Sequence, residues 1–121
     1  MANHNNLGYQ GENAAVIYLQ NKGFTILKRN WRHRRIEIDI IATDQLSLIF
    51  IEVKTRKSAR WGNPEDAVTD IKIRRMVDAA DFYANEYNID MPIRFDIISI
   101  LQEGTDYQIT HFEDAFLAPL N

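Results

Sequence analysis

Two runs rich in β-branched residues constrain this chain more than any other feature: Ile36-Glu37-Ile38-Asp39-Ile40-Ile41-Ala42, and Leu46 to Lys54, separated by the short polar segment Thr43-Asp44-Gln45. Each run is too short for a typical helix and has the composition of a strand, and the polar spacer reads as a hairpin turn. Side chains alternate between faces along a strand, so Glu52 and Lys54 are expected on one face and Ile51 and Val53 on the other. By the same rule Asp39 points away from Ile38 and Ile40. Pairing of the two strands through the turn near Asp44 would carry Asp39 toward Glu52 and Lys54, so that three charged groups meet beside an apolar layer.

The rest of the chain supplies partners for such a hairpin. Gly11 to Lys22 reads as a helix, with Glu12, Ala15, Val16 and Leu19 on one face and Gly23 as its stop signal. Phe24 to Trp31 reads as a short strand. Asn63-Pro64-Glu65-Asp66 has the make-up of a helix start, with Asn as cap, Pro in the first position and two acids at the positive end of the dipole. That helix is expected to run to about Tyr87, with Val68, Ile71, Met76, Ala79, Ala80 and Tyr83 on its apolar side and Lys72 among them. Arg94 to Leu101 and Tyr107 to Phe112 read as strands around a Gly104 turn. The predicted order is α-β-β-β-α-β-β, an α/β fold with a mixed sheet flanked by helices. A length of 121 residues with 45% hydrophobic content suits one core, so residues 1–121 are expected to form a single domain. There is no apolar run approaching the ~18 residues of a membrane span, and the polar opening Met1 to Asn6 has no secretory character. A cytoplasmic protein with no membrane partner is the expectation.

The absence of cysteine removes disulfides, thiolate metal sites and cysteine nucleophiles together. Any metal must then be held by oxygen or imidazole, which favours hard cations. Two neighbouring carboxylates repel, and each resists ionisation when partly buried; a divalent cation relieves both costs. Mg²⁺, or Mn²⁺ in its place, would suit Asp39, Glu52 and the backbone carbonyl of Val53, with Lys54 orienting a water or stabilising developing charge. The plainer alternative for Glu52 and Lys54 is a same-face ion pair on an exposed sheet. The same Asp/Glu-x-Lys spacing recurs in Asp70-Ile71-Lys72, but there on a helix, where positions i and i+2 do not face each other. Glu12 sits on the apolar side of its helix and is the acid most able to approach Asp39 and share a metal; its alternative role is simply to favour the helix start. Glu37 shares the parity of Asp39 and reads better as an exposed neighbour.

Charge is unevenly distributed. Lys22 to Arg75 hold 13 Lys/Arg against 7 Asp/Glu, whereas Met76 to Asn121 hold one against 9, within a chain of net charge -3. A cationic half can form a phosphate-binding face on an acidic protein. Arg32, Arg34, Arg35, Arg56, Lys57 and Arg60 flank the expected site, Lys72 is within helical reach, and Trp31 and Trp61 stand at the margins. Cations with flat aromatics suit a DNA backbone and unstacked bases. His4, His33 and His111 have no ligand spacing, and Asp96, in a strand with no following lysine, reads as structural.

Taken together, Gly11-Glu12, Arg29-Asn30, Glu37-Ile38-Asp39-Ile40-Ile41, Glu52-Val53-Lys54-Thr55-Arg56, Ala67-Val68 with Lys72, Arg94-Phe95-Asp96 and His111 to Phe116 resemble the YraN family of small bacterial proteins. That family is similar to the PD-(D/E)XK nuclease superfamily and, more distantly, to archaeal Holliday-junction resolvases. The resemblance implies a restriction-endonuclease-like core with Asp39, Glu52 and Lys54 as metal and catalytic positions and Glu12 as the acid from the first helix. Ile36 departs from the glycine that family members commonly carry there. The leading expectation is therefore a Mg²⁺-dependent DNA endonuclease acting on branched, flapped or single-stranded structures; a homodimer would suit a two-fold junction. The rival expectations are a nucleic-acid-binding module without catalysis and a protein-interaction domain.

Overall fold

A computed structural model describes residues 6–57 and 69–115. Its elements are α1 (Asn6–Asn21), β1 (Thr25–His33), β2 (Ile36–Thr43), β3 (Leu48–Arg56), α2 (Asp70–Glu86), β4 (Ile93–Glu103) and β5 (Asp106–Phe112). The predicted order and the mixed α/β class are both observed. The five strands form one sheet in sequence order, antiparallel except for β3 and β4. That parallel pair needs a crossover, and the segment carrying α2 supplies it.

The two helices cover opposite faces of the sheet, as the alternation along β3 shows. Leu48 and Phe50 pack with Met76, Ala79, Ala80 and Tyr83 of α2, while Ile49 and Ile51 pack with Ala15 and Leu19 of α1. A strand buried on both faces reads as a continuous apolar run, and Leu48 to Ile51 is one. Among the described residues, no helix is long and apolar enough to cross a membrane.

Several boundaries depart from expectation for local physical reasons. α1 begins at Asn6, which puts Gly11 inside the helix, and it ends as predicted at Gly23, whose φ of 94° only glycine adopts readily. The amide of Phe24 reaches back to the Leu19 carbonyl at 2.9 Å, completing a Schellman-type end. The hairpin turn is longer than predicted, so β3 starts at Leu48 and not Leu46; Asp44 Oδ1 accepts from the amides of Leu46 and Ser47 and holds the turn in place.

The second helix does not run unbroken from Asn63. It starts at Asp70, because Thr69 is extended (φ -80°, ψ 164°) and its side-chain oxygen accepts the amide of Lys72, as an N-cap does. Asn63 to Asp66 and Val68 lie outside the described residues. With that start, Ile71 turns outward and is 59% exposed, while Met76, Ala79, Ala80 and Tyr83 face the core as predicted.

Candidate active site

The site forms where β2 parts from β3. Their ladder runs from Thr43↔Leu48 to Ile40↔Ile51. One step further would set Asp39 opposite Glu52, but there the side chain of Asp39 takes over from the backbone, and its Oδ2 accepts the amide of Val53 at 2.8 Å. The carboxylate of Asp39 is thereby fixed against the strand that carries Glu52 and Lys54.

Strict alternation fails at this point. Trp31 and Ile38 pair across β1 and β2 and pack on the α2 side, whereas Arg29 and Ile40, the next pair along, serve the α1 side. Between them Asn30 has φ of 52°, a left-handed conformation that Asn tolerates better than most residues. Ile38 and Ile40, expected on one face, thus lie on opposite faces, and Asp39 stands where the faces exchange. It can therefore feel acids from both layers.

Those acids are Glu52 and Glu12, both buried. Glu52 Oε2 lies 3.2 Å from Lys54 Nζ and 2.5 Å from Lys72 Nζ. The ion pair of Glu52 and Lys54, the plainer alternative read from the sequence, is present but on a buried Glu52 rather than an exposed sheet, and Lys72 joins it from α2. Glu12 Oε1 accepts from Arg29 Nη2 at 2.7 Å and from Asn30 Nδ2 at 3.0 Å. The approach of α1 depends on Gly11, where an added Cβ would fall 2.1 Å from Thr55 Oγ1 on β3. No side chain fits there, and the contact seats Glu12 beside the site.

Asp39 is treated differently from its neighbours. Among the described residues no Lys or Arg pairs with it, and its one hydrogen bond is the Val53 amide. Burial first, then the Glu52 carboxylate and to a smaller extent Glu12, push its pKa up to about 7 against the pull of the Val53 amide and Lys72. Near neutral pH this group is poised between acid and carboxylate. Among the described residues, no three His, Asp or Glu close around a single point as a ready-made metal cage. Mg²⁺ does not need one, since it commonly uses one or two carboxylates and fills its shell with water and phosphate oxygen. The Asp39 carboxyl, in no ion pair among the described residues, is an oxygen donor of the kind such an ion takes.

Comparison with known sequences yields one consistent result. A sequence model described as "Uncharacterised protein family UPF0102" matches residues 11–100. A UPF0102 protein of Phocaeicola vulgatus is 50% identical over 120 residues, covering 99% of each chain. Similar proteins occur in Bacteroides thetaiotaomicron (48% over 120 residues, 99% of each chain) and Flavobacterium psychrophilum (47% over 116 residues, 96% of this chain and 98% of the relative). The chain belongs to the UPF0102 family.

In this UPF0102 chain the predicted cations divide into groups. Arg34 and Arg35 occupy the β1–β2 turn and are exposed, and Arg32 is exposed on β1 opposite Glu37. Arg56 ends β3 half-buried and Lys57 follows it in the open, while Arg60 and Trp61 lie outside the described residues. Trp31 is a core-edge residue, edge-on to Tyr83 at 5.2 Å and stacked with His33. Asp96 is structural as expected, fully buried and bonded to Arg94, His111 and the Asp114 amide.

Sequence reasoning overlooked four contributors to this UPF0102 site. Arg29 and Asn30 hold Glu12, and no spacing rule pairs a β1 residue with one 17 or 18 positions earlier in a helix. Arg74 and Arg75 project from α2 into the same basic region as Arg34 and Arg35. Their signal was available, since they follow Lys72 within one helical turn, but the expected helix start at Asn63 hid its meaning.

Proposed function

We propose that this chain is a Mg²⁺-dependent endonuclease that hydrolyses phosphodiester bonds in DNA, with chemistry like that of PD-(D/E)XK nucleases. The observation that carries this reading is Asp39, a carboxyl pinned by the Val53 amide, its pKa raised by burial and by two other acids, and, among the described residues, in no ion pair. Assembling like charges this way is unfavourable unless something positive enters, and among the described residues Asp39 forms no ion pair while Glu52 has Lys54 and Lys72 and Glu12 has Arg29.

Asp39 and Glu52, with the Val53 carbonyl, are the residues that would hold the ion, and Glu12 supports them from α1. When bound, Mg²⁺ supplies Lewis-acid polarisation of the phosphate and a lowered pKa for an attacking water. Lys54, held by Glu52, would supply the ammonium that stabilises charge developing on the phosphoryl oxygens. Lys72 bonds the same carboxylate from α2 and, with Lys54, fixes its position. Arg29 and Asn30 orient Glu12 rather than contacting substrate.

A cleavage panel over linear, flapped and branched DNA with Mg²⁺ or Mn²⁺ tests the reading. Wild type should cut at least one structure, and Asp39→Ala, Glu52→Ala and Lys54→Ala should each lower the rate by about a hundredfold or more. Equal trace cleavage by wild type and Glu52→Ala would end the enzyme reading. One observation favours a second reading: Glu52 already has two lysines, so the cluster could serve as a closed ion-pair network in a module that binds nucleic acid without cutting it. Salt-sensitive DNA binding with no metal-dependent cleavage would select that reading.

A further inference from the structure

We infer that Arg34, Arg35, Arg74 and Arg75 bind the phosphates of an unpaired nucleic-acid strand beyond the reacting position, and that a base of that strand stacks on Phe82. This inference rests on the nuclease reading for the identity of the ligand, and it adds a binding track and a strand type to it.

The four arginines come from two elements that meet only in the folded chain, the β1–β2 turn and the first turns of α2. They line a pocket of about 300 Å³ whose wall includes Ile36 and one acid, Asp78. Asp78 offsets little of this charge: its Oδ2 lies 3.6 Å from Arg34 Nη1, and among the described residues no acid pairs with Arg35, Arg74 or Arg75. Four guanidiniums gathered around an apolar wall repel one another, and a chain of phosphates is the ligand that matches them by charge and by bidentate geometry.

The pocket shares three lining residues, Arg35, Ile36 and Arg75, with a second depression, which also holds Glu37 and reaches the candidate active site through Lys72. Lys72 in turn bonds Glu52. A strand whose scissile phosphate lies at Asp39 and Glu52 would thus meet Lys72 first, then Arg35 and Arg75, then Arg34 and Arg74.

On the far side of Arg34 the surface changes character. Phe82 is 45% exposed, yet it stacks on His33 with ring centroids 4.5 Å apart, and His33 in turn stacks on Trp31. The hollow beside it is lined by Asp78, Asp81 and Glu86 as well as Arg34. Those acids repel phosphate and leave the aromatic face to a neutral group. An unpaired base has such a face, whereas a base inside a duplex cannot present it.

The test measures binding of the intact chain in EDTA, where no cleavage occurs, by fluorescence anisotropy with a labelled single-stranded oligonucleotide and with the matching duplex. Arg74→Ala/Arg75→Ala and Arg34→Ala/Arg35→Ala should each weaken single-strand binding about tenfold and reduce the slope of log affinity against log salt by about 1.4. Arg74→Lys/Arg75→Lys should recover most of that slope, and Lys22→Ala, on the α1 side and paired with Glu113, should bind as wild type does. Phe82→Ala should cost about tenfold on the single strand and leave the duplex unchanged.

Wild-type affinity and slope in both arginine pairs would overturn the track, even with Mg²⁺-dependent cleavage intact. Equal losses on duplex and single strand from Phe82→Ala would overturn the assignment of an unpaired strand. Arginine-dependent binding without any cleavage would uphold the track while removing the nuclease reading, so the two can fail separately.

Discussion

Two carboxyl groups buried in the sheet of this protein have opposite surroundings. Asp96 on β4 is fully buried and accepts from both Arg94 Nε and Nη2 at 2.9 Å and from the Asp114 amide at 2.9 Å, with His111 Nε2 at 2.8 Å. These partners outweigh the cost of burial and hold its pKa below the usual carboxylate range. Asp39 on β2 has one amide and faces two acids, and its pKa rises to about 7. The first acid is saturated and ties β4 to the end of β5. The second has, among the described residues, no ion-pair partner to offset its burial and its neighbouring acids.

The largest expected effect comes from breaking the saturated cluster. Asp96→Ala leaves Arg94 and His111 facing each other without their acid and should cost about 3–5 kcal/mol in urea denaturation. A loss below about 1 kcal/mol would mean that the cluster is not what fixes β4 to β5.

The two acids should also give opposite pH dependence. The folded pKa of Asp39 lies above its unfolded value of 3.8, so the native state holds the proton longer. Stability from this group is therefore full below pH 3.8 and falls as pH rises through about 7, by up to about 4 kcal/mol. Asp96, with a lowered folded pKa, contributes above its unfolded value and loses that contribution as pH falls. Asp39→Asn keeps an oxygen for the Val53 amide and removes the charge. In metal-free buffer it should match wild type near pH 4 and exceed it at pH 8, read from urea midpoints across the range.

Mg²⁺ sharpens the same contrast. At ten times its Kd it should stabilise wild type by about 1.4 kcal/mol at pH 8 and leave Asp39→Asn unmoved, whereas Asp96 variants should keep the increment. Equal stabilisation of wild type and Asp39→Asn would place the ion elsewhere.

Smaller effects probe the supports of the Asp39 side. Gly11→Ala drives a methyl into Thr55 and should cost about 1–3 kcal/mol, while moving Glu12 away and lowering the measured pKa of Asp39. Thr69→Ala removes the cap that starts the helix carrying Lys72 and should cost about 1 kcal/mol in the thermal transition.

Element order, the mixed sheet and the Met76, Ala79, Ala80 and Tyr83 face of α2 were legible along the chain, and so was the shared face of Glu52 and Lys54. These follow from apolar periodicity and from strand parity, which act over a few residues and can be read along the chain. The sequence also marked Glu12 and Asp39 as acids out of place on apolar elements. How those acids meet came from the packing of strands and helices. The helix that carries Lys72 starts at Asp70 under a Thr69 cap, and the arginines of two distant segments fall together because that helix lies on the crossover from β3 to β4. Above all, the exchange of faces at Asn30 and Asp39 breaks the alternation that sequence reading assumes. It arises from a left-handed residue and from a side chain taking a backbone partner, and those are settled by what neighbouring strands and helices offer, not by the residue types alone.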